Sequence, residues 1–302
     1  MGFRSGFVAI IGRPNVGKST LLNQLLGTKL AIVTPKPQTT RNRISGIVSW
    51  PDSQIVFLDT PGIHEGKGTL NRFMVDEALN SLLEADLVCL MIDAEFEVRA
   101  DDIRPEELSI IDHIRNSARP AVLAINKVDK VEKNLLLPVL DRYSKAFPFT
   151  ALVPICALAG DGVDSLVAEV KQRLPEGERM YPEGQLTDRS RDFIISEFIR
   201  EKAFLLTHQE VPYSVAVVVD AVQERPGKDH VLYVAATLHV ERDSQKGILV
   251  GRRGEMIKEI GSKARTDLEA FLKRRIFLEL RVRVEKDWTR SDRGLTRVGF
   301  TP

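Results

Sequence analysis

A chain of 302 residues, 43% hydrophobic and 28% charged, is long enough for two domains that each bury a core. It has no apolar run near the roughly 20 residues that a membrane helix needs, no cleavage signature of a secretion signal at its start, and two cysteines, Cys89 and Cys156, in apolar surroundings that suit a reducing, cytoplasmic setting. The net charge of +1 hides an asymmetry: residues 246–297 hold 15 Lys and Arg against 8 Asp and Glu, which fits a polyanion-binding region or, more plainly, a solvated helix face.

Apolar runs without alternation at 7–11, 54–58, 86–92, 121–125 and 151–155 read as strands covered on both faces. Helical patterns lie between them at 18–26, 70–83, 105–114 and 163–174, with Gly27 closing the first. This alternation predicts an α/β domain with a mostly parallel, doubly wound sheet. Pro138 within 135–143 predicts a helix that is kinked or starts late. Residues 175–189 are polar and carry Pro and Gly, so they read as a linker between domains at 1–174 and 190–302. Beyond it the patterns predict a helix at 191–206, strands at 213–222 and 231–240, helices at 255–260 and 263–274, and a strand at 277–284.

Gly12, Arg13, Pro14, Asn15, Val16, Gly17, Lys18 and Ser19 fit a phosphate-binding loop, set between a predicted strand and a predicted helix as that motif requires. Its backbone N–H groups and the helix N-terminus favour phosphate oxygens. Lys18 is placed for the outer phosphates and Ser19 for Mg²⁺, with Thr20 in the same first turn. Asp59, at the end of the 54–58 strand, can hold the metal, and the Gly62 N–H can meet a γ-phosphate. Asn126, Lys127 and Asp129 follow the 121–125 strand: the Asp129 carboxylate can accept from two N–H groups of guanine, a pair that adenine lacks. Lys127 can lie along the base plane, Asn126 can brace the loop, and the Ala157 N–H, between Cys156 and Leu158, can meet the guanine oxygen.

These motifs, in this order at strand ends, resemble the translation-factor-related class of P-loop GTPases. Residues 12–19 and Pro37, Gln38, Thr39, Thr40 and Arg41 resemble the Era family within it, over nearly the whole chain. The resemblance implies GTP and GDP as ligands with Mg²⁺ as metal. Thr40 is the preferred second hydroxyl on Mg²⁺, with Thr39 as the alternative. Where such proteins carry Ser, this chain has Cys156. Ile63 stands where many GTPases place a water-orienting Gln, so intrinsic hydrolysis is expected to be slow. His64 is a candidate base, and a loop residue on the simpler reading. Relatives use an Asn at the place of Asn15 to hold K⁺ near the phosphates, which makes Lys18, Thr40, Gly62 and Asn15 the catalytic set.

Residues 248–261 carry the second signal. Gly251, Arg252, Arg253 and Gly254 lie between an apolar run and an amphipathic helix, and resemble the GxxG loop of a type II KH domain, an α+β module. Ile248, Val250 and Ile257 would line a groove for unstacked bases, with Lys258 beside it. Trp288 and Arg290 can either clamp RNA or pack the last helix. The resemblance implies a monomer that binds the 3′ end of small-subunit ribosomal RNA, assists maturation of the small ribosomal subunit, and associates loosely with the inner membrane. The competing readings are a constitutive RNA-binding protein with a structural nucleotide site and a GTPase-driven RNA-modification factor. The latter would need a catalytic centre that no Cys, His or Asp cluster in 190–302 supplies.

Overall fold

The computed structural model describes residues 2–63, 68–224 and 231–300. The chain forms two compact units: the second takes in the described residues from Arg189 on and the short segments 32–34 and 68–73, and the first the remaining described residues. His64, the candidate base, lies outside the described residues.

The first unit is built on β1 (Arg4–Ile11), α1 (Lys18–Leu26), β2 (Ile44–Trp50), β3 (Ser53–Asp59), α2 (Thr69–Glu84), β4 (Leu87–Asp93), α3 (Ala94–Glu97), α4 (Pro105–Ser117), β5 (Ala121–Asn126), α5 (Leu136–Ala146), β6 (Ala151–Pro154) and α6 (Val163–Arg173). The sheet order is β2-β3-β1-β4-β5-β6, parallel except for β2. Ala9, Ile11, Val88, Leu90, Ile92, Leu123 and Ile125 share one core with α2, α4 and α5. Their neighbours Val8, Ile10, Cys89, Met91, Val122 and Ala124 point to the opposite face and are equally buried. That double burial is why the strands read as continuous apolar runs. The short β2, Ile-Ser-Gly-Ile-Val-Ser-Trp, has no such run, and pairing with β3 alone makes it a strand. Pro138 falls in the first turn of α5, where its missing N–H costs nothing.

The second unit holds α7 (Arg191–Leu206), β7 (Ala216–Glu224), β8 (Leu232–Val240), α8 (Asp243–Val250), α9 (Glu255–Leu272), β9 (Ile276–Val284) and α10 (Asp292–Arg297). β7 pairs antiparallel with β8, and β8 parallel with β9. Three expectations change. The apolar run at 248–250 is the end of a short helix. The two helices expected at 255–274 are one, α9, which runs through Gly261; there the helix faces Leu280 of β9 at ordinary contact distance. The strand expected from 213 starts at Ala216, after a 3₁₀ turn over Pro212–Ser214. No helix among the described residues is long and apolar enough to cross a membrane.

The polar segment expected as a linker is tied to the first unit's sheet. The fully buried Gln54 side chain accepts from the Met180 and Tyr181 N–H groups, each at 2.8 Å, and donates to the Tyr181 carbonyl at 2.9 Å. Ile47 N donates to the Leu186 carbonyl at 2.9 Å, and Tyr181 packs on Ile47, Val56 and Leu58. Buried amides left without partners are costly. Gln54→Leu is therefore expected to loosen this strap and speed tryptic cleavage after Arg179, read by limited proteolysis. Unchanged cleavage would assign the hold to Tyr181 packing and the Ile47 bond.

Candidate nucleotide and RNA sites

β1 leads into the loop at residues 12–19. Gly17 has φ 107, and a Cβ there would stand 2.2 Å from Asn126 Nδ2; one on Gly62 would stand 2.6 Å from Pro14 N. Gly17 is therefore set by close approach as well as by its left-handed backbone, and Gly62 by close approach alone. Lys18 Nζ donates to the carbonyls of Gly12 at 2.9 Å and Arg13 at 2.8 Å. Burial pushes its ammonium down to about 8, with Asp59 partly opposing the shift. Ser19 Oγ donates to Asp59 Oδ2 at 2.6 Å and lies 3.0 Å from Thr40 Oγ1. Asp59 is fully buried, and its Oδ1 accepts no hydrogen bond among the described residues. Burial pushes its carboxyl up to about 6, with Ser19, Lys18 and Thr40 opposing. Two hydroxyls and a carboxylate with an unsatisfied oxygen are the donors a hard divalent cation takes, so the residues fit Mg²⁺. Of the two threonines, Thr40 reaches this cluster, and Thr39 Oγ1 instead donates to the Lys36 carbonyl at 2.8 Å.

Asn15 is left-handed at φ 64, and its Nδ2 donates to the Pro35 carbonyl at 3.0 Å. Ile63 is buried in the core with α2 and α4, and its N–H donates to the Gly12 carbonyl at 3.3 Å. Thr20 is half-buried in the first turn of α1.

Asn126 joins the two halves of the site. Its Nδ2 donates to the Val16 carbonyl at 2.7 Å, and its Oδ1 accepts from Ala157 N at 2.9 Å. Lys127 Nζ donates to the Asn15 carbonyl at 2.9 Å and to Asp93 Oδ2 at 2.5 Å. Asp93 gave no signal in the sequence, because an acid ending a strand is common. Asp129 is exposed, as is Leu158 at 81%. Cys156 is buried, and burial, together with the Asp129 carboxylate beside it, pushes its thiol up.

In the second unit, residues 251–254 join α8 to α9. Gly251, Arg253 and Gly254 are all left-handed, with φ of 72, 51 and 81, and Arg252 and Arg253 are exposed. A Cβ on Gly251 would stand 2.8 Å from Met256 N, whereas one on Gly254 meets nothing within 4 Å. A cavity of about 290 Å³ runs along α9 and β9, lined by Ile257, Lys258, Gly261 and Arg265 on the helix and Leu278 and Leu280 on the strand. Its apolar floor and cationic edge suit unstacked bases and a sugar-phosphate chain. The β9 residues were missed because only parallel pairing with β8 brings them there. Ile248 is 45% exposed on α8, and Val250 ends that helix half-buried.

Trp288 is a correction. It is fully buried, its Nε1 donates to the Ser214 carbonyl at 3.0 Å, and its ring stacks on Phe300 at 5.7 Å. A ring so enclosed offers no face to a base, so it belongs to the core. Arg290 is exposed beside Asp287.

A thiol is a weaker donor than a hydroxyl. Cys156→Ser is expected to hold Asp129 more firmly and tighten GDP binding a few-fold, measured by fluorescence titration. Weaker binding would mean that the bulk of sulfur, not a hydrogen bond to Asp129, supports the base loop.

Residues 7–127 match the family described as 50S ribosome-binding GTPase, and residues 210–289 match the KH domain. The chain is 49% identical to GTPase Era of Syntrophus aciditrophicus over 298 residues, covering 99% of this chain and 95% of that one. Against GTPase Era of Geotalea daltonii it is 50% identical over 300 residues, 99% and 98% of the two chains. Among solved structures, Era in complex with MgGDPNP and nucleotides 1506–1542 of 16S ribosomal RNA aligns at TM-score 0.94 and 41% identity, over 99% of this chain and 100% of that one. A variant of Aquifex aeolicus Era bound to GDP·AlF₄⁻ aligns with the same values. A loop built for phosphate, a metal-ready carboxylate, a base-reading loop and a KH module thus coincide with near-full-length identity, and the chain belongs to the Era family of GTPases.

Proposed function

We propose that this GTPase binds the single-stranded 3′ end of small-subunit ribosomal RNA through its KH domain, and that bound GTP gates this binding during assembly and maturation of the small (30S) ribosomal subunit. One observation carries the reading: the chain aligns along the full length of an Era that was crystallised with both MgGDPNP and 16S ribosomal RNA. The protein acts as a monomer in the cytoplasm.

On this reading, Ser19, Thr40 and Asp59 would hold Mg²⁺, which would supply positive charge to the nucleotide's phosphates. Lys18 trades the two loop carbonyls for phosphate oxygens, which relieves its buried charge. The Gly62 N–H meets the γ-phosphate, and Asp129 with the Ala157 N–H reads guanine. Ile63 faces the core and cannot orient water, so charge must be stabilised at the phosphates. Asn15 Oδ1 is the oxygen that a K⁺ would take, where the ion supplies the electrostatic role of an arginine finger. GTP turnover is expected to be faster in K⁺ than in Na⁺ at equal ionic strength, and Asn15→Ala to erase the difference. Equal wild-type rates in the two salts would discard the K⁺ role.

At the KH loop, Gly254 is the discriminating position: a side chain there projects into open space, so a substitution strains only the left-handed backbone at φ 81, which Asp adopts more readily than most residues, and leaves the packing alone. Gly254→Asp is expected to remove most RNA affinity by occupying the phosphate path with a negative charge, and to leave GTP affinity unchanged. Arg252→Ala and Arg253→Ala act more mildly, each flattening the salt dependence by about 0.7 log units per log unit of salt for one lost single-strand phosphate contact. Titration of RNA across a salt series reads both effects. A folded Gly254→Asp that binds RNA normally would overturn the KH role, and RNA affinity equal with GTP and GDP would favour the constitutive RNA-binding reading.

A further inference from the structure

Arg13 is the second residue of the phosphate loop, and its carbonyl accepts from Lys18 Nζ. Its side chain reaches α4, where Nη1 lies 3.6 Å from Glu107 Oε2. Glu107 is 1% exposed, and burial raises its carboxyl above the usual range. Its Oε1 accepts from Arg104 at 3.1 Å, and its Oε2 is buried without a hydrogen bond among the described residues. Arg104 also donates to Glu97 Oε1 at 2.8 Å. Arg142 of α5 donates to Glu97 Oε2 at 3.3 Å and to the Ala100 carbonyl at 2.6 Å. Two buried carboxylates and two arginines balance one another, and Arg13 is the additional cation, set against the one carboxylate oxygen the cluster leaves over.

An exposed ion pair is worth little, but an oxygen already withdrawn from water has no solvent to compete for the guanidinium. Asn126 grips the trailing half of the loop at Val16. Among the described residues no β5 side chain bonds the leading half, 12–14; Lys18 Nζ and the Ile63 N–H hold its carbonyls, and the Arg13 side chain adds a charged contact to Glu107 of α4. Loop amides stabilise phosphate best when they are aimed before it arrives. We infer that Glu107 is a positioning residue for nucleotide binding: through Arg13 it holds the leading half of the phosphate loop in the shape that receives the phosphates.

The test is a double-mutant cycle on the full chain, with release of a fluorescent GDP analogue, KM and kcat as readouts. Arg13→Ala and Glu107→Gln are each expected to speed release about tenfold and raise KM with kcat little changed, and the double variant to be no worse than the poorer single. Arg13→Lys is expected to recover most of the loss, since it restores the charge. A purely structural role would lower the melting temperature and leave release from the folded protein at the wild-type rate, and that result overturns the inference. So do additive losses in the double variant. If Glu107→Gln does not fold, Arg13→Ala, which changes a partly exposed side chain, decides alone: wild-type release from it rejects the proposal. Lys18→Ala is the reference; nucleotide binding that survives it would overturn the assignment of the phosphate loop itself and the inference with it.

Discussion

The nucleotide site depends on the two hydrogen bonds of one buried amide. Asn126 ends β5, donates to Val16 in the phosphate loop and accepts from Ala157 in the base loop. Three segments far apart in the chain meet in one 3% exposed side chain. An amide suits this position because it offers a donor and an acceptor on opposite sides without a charge to desolvate. The missing Cβ of Gly17 is the other half of the arrangement, since any side chain there would occupy the space of Asn126 Nδ2.

Around this neutral brace the charges are left under-compensated. Lys18 and Asp59 are both buried, and each is shifted toward its neutral form. A protein selected for stability alone would pair such groups fully. Here the ammonium is held by carbonyls alone and the carboxylate keeps an unsatisfied oxygen, and the entry of phosphate with a divalent cation satisfies both at once. Two buried groups of opposite sign, each under-compensated by the protein, thereby favour a ligand that carries both signs of charge.

The second unit solves a different problem. A surface for single-stranded nucleic acid must bring an apolar floor, a cationic edge and bare backbone together. The positive-φ turns at Gly251, Arg253 and Gly254 present backbone and arginines, and α9 and β9 together line the floor. Trp288 shows the opposite use of an aromatic ring: stacked on Phe300 and bonded to Ser214, it closes the core beneath α10.

Elements whose signal is local, and groups whose chemistry is fixed by spacing, can be read along the chain. The doubly buried strands were legible because both faces select apolar residues, and residues 12–19, 59–62 and 126–129 because phosphate, metal and guanine each demand particular groups at a strand end. What depends on residues distant in the chain emerges only on folding. β2 became a strand only by pairing with β3, and part of the apolar wall beside α9 comes from β9, brought there by its pairing with β8. The linker segment became a strap because Gln54 meets its amides, Thr40 rather than Thr39 reached Asp59, and Trp288 went inward. Glu107 and Asp93 look like ordinary helix and strand-end acids in the sequence. Their meaning lies in the side chains that folding sets against them, because burial and partnership are properties of the packed chain and not of any window along it.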